Sequence, residues 1–273
     1  MQYLICTTCG VQMDENMTRD DICPICTDER QYVNPNGQSW TTLSDMISSG
    51  TYQTTVTEEQ AGLQSLVTTP KFGIGQTAYL VTGTKRILWD CVTYLDQTVI
   101  DAVGQLDAMA LSHPHYYATQ VEWAETFDIP LYIHEADQEW VTRPSKQIVF
   151  WSGDQLALSE DVILHRIGGH FDGATVLEWM TGNDGRGILL TGDIVRVVAD
   201  RAWVSFMYSY PNLIPLPAAT VAEMASALKD VRFNQIYDAF HKIVVTDANA
   251  AVARSASRYI EALNGHVKER ERR

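Results

Sequence analysis

The sequence predicts a mixed α/β sandwich preceded by a small cysteine-rich module. Three observations carry that reading. Four of the five cysteines fall within the first 26 residues. From Phe72 onward, short apolar strands come first as a hairpin and then alternate with helical segments. That order suits packed α/β layers better than a simple doubly wound sheet. The final third is helical, with apolar residues three and four positions apart.

The cysteines form two pairs, Cys6-x-x-Cys9 and Cys23-x-x-Cys26, separated by 13 residues. Two such turns can converge four thiolates on one tetrahedral ion. About 30 residues cannot bury enough apolar surface to offset their own ordering entropy, so the ion would supply the folding energy. "CTTCG" followed by "CPIC" resembles a zinc ribbon and also the rubredoxin-like module, whose iron sits in the same four-sulfur cage. Zinc is the simpler expectation, and iron fits the same ligands. We therefore read residues 1–33 as a four-cysteine metal-ribbon module.

Residues 34–70 read as a Ser/Thr-rich connector with a turn at Asn34-Pro35-Asn36-Gly37 and a short helix around Leu43 to Ile47. The main domain is expected over 71–265. "TAYLVTG" and "KRILWDCV" are strands joined at Gly83-Thr84 as a hairpin. "LDAMALS" is a further strand, followed by a helix over 118–127, strand "PLYIH" and a helix near 135–142. Strands "VILHRI", "ATVLEWM" and "GILLTG" follow, the last two joined by the turn Asn183-Asp184-Gly185. Thr220 to Glu223 fits a capping box, with Val221, Met224, Leu228 and Val231 on one helix face. Asp247 is placed to cap a last helix whose stripe is Val252, Ala256, Ile260 and Leu263. Residues 266–273 are a charged tail.

A net charge of -14 argues against nucleic acid or an anionic membrane as partner. No stretch approaches the roughly 18 apolar residues of a spanning helix. The start has no basic-then-apolar secretory pattern, so the expected compartment is the cytoplasm.

Seven histidines are present, and they are not equivalent. In "ALSHPHYYATQ", His113 and His115 lie just past a strand, two residues apart. Extended backbone puts such residues on one side, and Pro114 fixes the backbone between them. His170 follows a glycine pair in "RIGGHFDGATVLEW", and "GILLTGDIVR" ends an apolar strand in Gly192-Asp193. Three imidazoles and one carboxylate at strand ends make a divalent-metal set. His134, His165 and His266 read as structural or peripheral. The aromatic stretch 201–216 reads first as packing over the sandwich and second as a substrate rim, and Cys91 reads as a buried apolar side chain.

From about Phe72 to Leu263 the chain resembles the metallo-β-lactamase superfamily, most closely its glyoxalase II and persulfide dioxygenase-like branches. The ordered series "AYLV…ILWD", "SHPHYYA", "GGHFDGATV" and "LLTGD" carries the resemblance. It implies a four-layer αββα sandwich with metal at one edge. His113 and His115 then match the leading histidines of that family's H-x-H-x-D-H signature, His170 its third histidine and Asp193 its bridging aspartate. Asp90 matches a position that supports the site from behind the ligands. Tyr117 and Ala118 stand where the signature has its aspartate and last histidine, the residues that hold a second ion. A phenol of pKa about 10 is a poor ligand and a methyl group is none. His241 falls where the family often places a final histidine of that second site, without the glycines that usually surround it.

The expectation is a hydrolase with one active-site ion, zinc or iron(II), held by His113, His115 and His170. Asp193 would be the fourth ligand or the base, and Tyr116 or Tyr117 the donor to an oxyanion or leaving group. The substrate would be a small ester, thioester, lactone or amide. Two other readings stay open: a mononuclear iron(II) dioxygenase-like enzyme, and a non-catalytic binding protein that engages a protein partner through the ribbon.

Overall fold

The structure is a computed structural model and describes residues 3–266; the tail expected over 266–273 lies outside it beyond His266. Two sheets face each other. The larger has seven strands in sequence order: Gln53–Gln60, Leu63–Thr69, Ala78–Thr82, Arg86–Trp89, Ala108–Ala110, Leu131–His134 and Ile148–Trp151. The first four pair antiparallel and the rest parallel. The smaller has six: Gln155–Ala157, Val162–Arg166, Thr175–Trp179, Ile188–Leu190, Gln235–Tyr237 and Ile243–Val244.

The period-2 alternation of each strand builds the layers. On the larger sheet Tyr79, Val81, Ile87, Trp89, Ala108 and Ala110 face inward. They meet Leu164, Leu177, Ile188 and Leu190 of the smaller sheet in a dry inter-sheet core. The alternate residues Leu80, Leu88, Met109, Leu131 and Ile133 point outward and are covered by the helices Gln97–Val103 and Gln120–Phe127. On the far side, Val176, Leu189 and Ile236 pack beneath Ala218–Ala227 and Ala248–Leu263. The order helix, sheet, sheet, helix is the four-layer sandwich expected from the sequence.

Several elements differ from the sequence reading, and the final third, read as helical, also supplies the strands Gln235–Tyr237 and Ile243–Val244. Residues 53–69, read as connector, are the first two strands of the larger sheet. Gln53–Gln60 is the sheet edge and shows Thr and Glu side chains to solvent, and Leu63–Thr69 beside it interrupts its apolar residues with Gln, Ser and Thr, so neither has the apolar run that marks a central strand. The helix expected to begin at Thr220 begins at Ala218 behind Pro217, and Thr220 falls within its first turn. Its buried residues are still Val221 and Met224, continued by Leu228 and Val231.

The cysteine module has no core of its own. Cys6, Cys9, Val11, Met13, Cys23 and Ile25 belong to the same apolar cluster as Leu80 and Leu88. Its seat is tight: a Cβ on Gly73 would lie 2.9 Å from the Cys9 backbone, and one on Gly10 would collide with Thr93 Oγ1. Both glycines also have positive φ, so no other residue fits either position.

Candidate metal centre

The loops that leave the ends of neighbouring strands meet at one rim of the sandwich. After Ala108–Ala110 the chain runs through Ser112 into a single 3-10 turn, Pro114–Tyr116, which starts from the extended His113. Gly192, at φ 57° and pressed against Ser112, turns the chain after Ile188–Leu190 and brings in Asp193. His170 comes from the loop between Val162–Arg166 and Thr175–Trp179. Asp90, one residue past Trp89, accepts a hydrogen bond from the Ser112 N–H at 2.8 Å and ties two strand ends together. Burial raises its carboxyl to about 7.

His113, His115 and His170 are buried, and each offers a ring nitrogen within 4.8 Å of the others. Outer partners fix which nitrogens converge. His170 Nδ1 faces the Met207 carbonyl at 3.0 Å. A carbonyl only accepts, so Nδ1 carries the proton and Nε2 keeps its lone pair. His113 Nδ1 is held by Ser112 Oγ at 2.9 Å, which leaves its Nε2 inward. His115 presents Nδ1, 3.3 Å from His170 Nε2. Asp193 Oδ1 lies beside them, 3.2 Å from His113 Nε2 and 3.9 Å from His170 Nε2.

His113 Nε2 and Asp193 Oδ1 are buried without a hydrogen-bond partner among the described residues. Such orphans are costly, and two of them aimed at one spot suit a cation. The 3.2 and 3.3 Å separations match the ~3.3 Å edge of a tetrahedron of ligands about 2.0 Å from zinc. Burial, and for His113 the neighbouring imidazoles, hold all three histidines below their usual range, His115 at about 4. Neutral imidazole is the form that ligates. The residues present fit a bound divalent ion.

The second cluster is Cys6, Cys9, Cys23 and Cys26. Cys6 and Cys26 sulfurs are 3.6 Å apart, those of Cys9 and Cys23 3.7 Å. A disulfide is about 2.05 Å, whereas the edge of a tetrahedral four-thiolate site is ~3.8 Å. Gln38 Nε2 donates to Cys6 Sγ at 3.3 Å.

The other residues singled out in the sequence are distributed as follows. Tyr116 lies against His113, ring centroids 4.4 Å apart, with a buried hydroxyl that has no partner among the described residues. Burial, then the carboxylate of Asp193, pushes its phenol well above the ordinary value. Tyr117 points elsewhere, its hydroxyl donating to the Asp137 carbonyl at 3.4 Å. Ala118, in left-handed backbone at φ 42°, accepts from the Gln12 N–H of the cysteine module. His241 is half-exposed, pairs with Glu59 at 2.9 Å and is not brought to the cluster. His134 packs edge-on to Trp151 and bonds Gly153. His165 pairs with Glu178 across two strands, and Cys91 is buried with its thiol pushed up. The stretch 201–216 divides: Phe206 is core, while Tyr210 reaches the pocket.

Two residues in the pocket carry no sequence signal: Arg30 reaches it from the cysteine module, and Arg196 from the strand after Asp193. Asp28, also of the module, stands behind His115. The space the two arginines enclose with His115, Tyr116 and His170 is about 20 Å³, room for roughly one water.

No family model matches the chain. Over 271 residues it is 55% identical to "Uncharacterized protein YmaE" of Bacillus subtilis (strain 168), an alignment covering 98% of this chain and 99% of that protein. Among solved structures, the DIM-1 metallo-β-lactamase superposes with a TM-score of 0.57 at 16% identity, over 77% of this chain and 98% of that one. A fragment of the putative diflavin flavoprotein A 5 from Nostoc sp. PCC 7120 gives 0.55 at 14%, over 78% and 99%. At these identities the structures speak for the fold. The chain thus belongs to one family with YmaE, and its four-layer sandwich has the fold of the metallo-β-lactamases it superposes on.

Proposed function

We propose that the protein is a metal-dependent hydrolase with a single active-site ion, zinc or iron(II), held by His113, His115 and His170. The observation that carries this is the convergence of three buried, neutral imidazoles with the unpartnered carboxylate oxygen of Asp193. When bound, a divalent ion supplies a Lewis acid and makes a water nucleophilic near neutral pH. Asp193 would complete the ligand set through Oδ1 or serve as the base beside the ion, as its place next to His113 allows. Tyr116, kept protonated by burial, donates to the oxyanion that develops on an ester, thioester, lactone or amide carbonyl. Arg196 lies between the rings of Tyr210 and Phe240, 4.7 and 4.4 Å from their centroids, with no hydrogen bond or ion pair to its guanidinium among the described residues. A substrate carrying an anionic group would use it.

The single-ion reading is supported by what Tyr117 and Ala118 do instead of ligating: one braces Asp137 and the other receives the cysteine module. The four-cysteine cluster holds a structural zinc or iron. A net charge of -14 favours a small substrate over nucleic acid. Among the described residues no helix is long and apolar enough to cross a membrane.

Two observations favour a second, redox reading, in which iron(II) occupies the histidine site. The pocket of about 20 Å³ suits a diatomic ligand without rearrangement, and Cys26 stands two residues before Asp28, which faces His115. Turnover of an ester, thioester and lactone panel by zinc-loaded protein, abolished in His113→Ala, is the expected result. Oxygen consumption by iron-loaded protein with no hydrolysis in the panel would replace the hydrolytic reading by the redox one.

A further inference from the structure

Two of the three histidines are steadied by the sandwich itself: His113 by Ser112 Oγ and His170 by the Met207 carbonyl. The third is not. With Nδ1 of His115 turned inward, its Nε2 is buried without a hydrogen bond among the described residues. The carboxylate that faces this nitrogen, Asp28 Oδ1 at 3.8 Å, comes from the cysteine module. That distance is longer than a hydrogen bond, and with His115 neutral it is a close approach of carboxylate to imidazole, not an ion pair.

Asp28 is not a loose surface acid. Arg30 grips it through Nε to Oδ1 at 2.7 Å and Nη2 to Oδ2 at 2.6 Å, and its side chain is 8% exposed. Arg30 is fixed in turn. Its guanidinium lies 3.6 Å over the Phe171 ring, and Nη1 donates to the carbonyl of His170 at 2.9 Å. The adjoining backbone is tied down as well: Ser209 Oγ donates to the Arg30 carbonyl at 3.0 Å, and Asn212 Nδ2 to that of Glu29 at 2.7 Å. Cys26, a member of the thiolate cluster, is two residues upstream.

We propose that Asp28 is a positioning residue for the histidine site: the appended four-cysteine module supplies the carboxylate that orients His115 through its outer ring nitrogen, with Arg30 locking both Asp28 and the His170 loop. A carboxylate behind a ligating imidazole fixes the tautomer and raises the basicity of the inner nitrogen. The module is then part of the active-site metal's surroundings and not a separable handle. This rests on the metal reading of His113, His115 and His170.

The test is Co(II) titration of the full-length protein, since histidine-bound cobalt gives ligand-field bands distinct from the charge-transfer bands of the thiolate site. Wild type should fill both sites. Asp28→Ala should weaken the histidine site about 10- to 100-fold and shift its bands, leaving the thiolate bands intact. Asp28→Asn, which keeps an acceptor and loses the charge, should fall between. Unchanged affinity and bands at the histidine site of Asp28→Ala, with the thiolate site loaded, would overturn the proposal. If Asp28→Ala fails to hold the thiolate-site metal, Asp28→Asn decides, and wild-type behaviour of that variant would overturn it equally. Failure of the metal reading itself looks different: wild type would then take up cobalt at the thiolates alone.

Discussion

The Tyr116 hydroxyl is buried beside Asp193, and burial keeps it protonated across the physiological range. If it donates to a developing oxyanion, Tyr116→Phe removes one hydrogen bond made chiefly in the transition state. The expected loss is about 100-fold in kcat with KM within about threefold. Metal content should not change, since the phenol is not among the ligands. Steady-state kinetics on metal-loaded protein checks this, and an unaltered kcat would remove Tyr116 from the chemistry. At this scale the sequence was most legible where residue type alone dictates chemistry. His113, His115, His170 and Asp193 stand at strand ends in a pattern that metal binding explains, and the fold brings them together. Asp28 and Arg30 were not legible, because their partners lie 87 and 140 positions away and nothing local marks them. Tyr117, two residues past His115, is turned away by the 3-10 turn that precedes it.

The loop that carries His170 is held from behind by another element. Asp137, in the 3-10 segment Glu135–Trp140, accepts the Gly173 N–H at 2.8 Å, and a Cβ on Gly173 would lie 2.6 Å from the Asp137 carboxyl carbon. Burial raises the Asp137 carboxyl to about 7, above its ordinary value of about 3.9. A group whose folded pKa is raised contributes stability that is complete below the unfolded value and is lost as pH rises through the folded one. Wild-type stability should therefore shed Asp137's contribution between about pH 4 and 7. Asp137→Asn keeps an acceptor for Gly173 and has no proton to lose. Urea denaturation should find this variant close to wild type at pH 4 and more stable at pH 8, by an amount of order 1–4 kcal/mol. An equal gap at both pH values would show that Asp137 does not titrate in this range. The elements themselves were legible where both faces are buried, as in Ala78–Thr82 and Ile188–Leu190. They were illegible at the sheet edge, where Gln53–Gln60 shows threonines and glutamates to solvent and reads as a linker. The helix read over 118–127 begins two residues later, at Gln120, and the last helix runs over Ala248–Leu263 directly after Asp247, whose side chain nevertheless makes no capping bond.

The cysteine module and the sandwich share one apolar cluster, and the module also supplies a wall of the histidine pocket. A structural metal contributes about 10–16 kcal/mol in small zinc modules, comparable with the entire stability of a typical domain. With an ion bound at the four cysteines, that energy would not be confined to the module. Removing the metal frees Cys6, Cys9 and Cys23 from the cluster that also contains Leu80 and Leu88. It also releases Cys26 and with it the Asp28–Arg30 clamp behind His115 and His170. The two metal sites should therefore be unequal in what they control. His113→Ala should bind one ion per chain in place of two, keep the thiolate-site metal and unfold at close to the temperature of the metal-depleted histidine site in wild type. Cys6→Ser should lose the thiolate-site ion, hold the histidine-site ion at least tenfold more weakly, and unfold in one transition more than about 10 °C below wild type. Elemental analysis of purified variants with a thermal scan reads both. A Cys6→Ser protein that retains its histidine-site ion at wild-type affinity and shows two separate transitions would mean that module and sandwich are independent bodies, and the shared cluster would then carry no coupling.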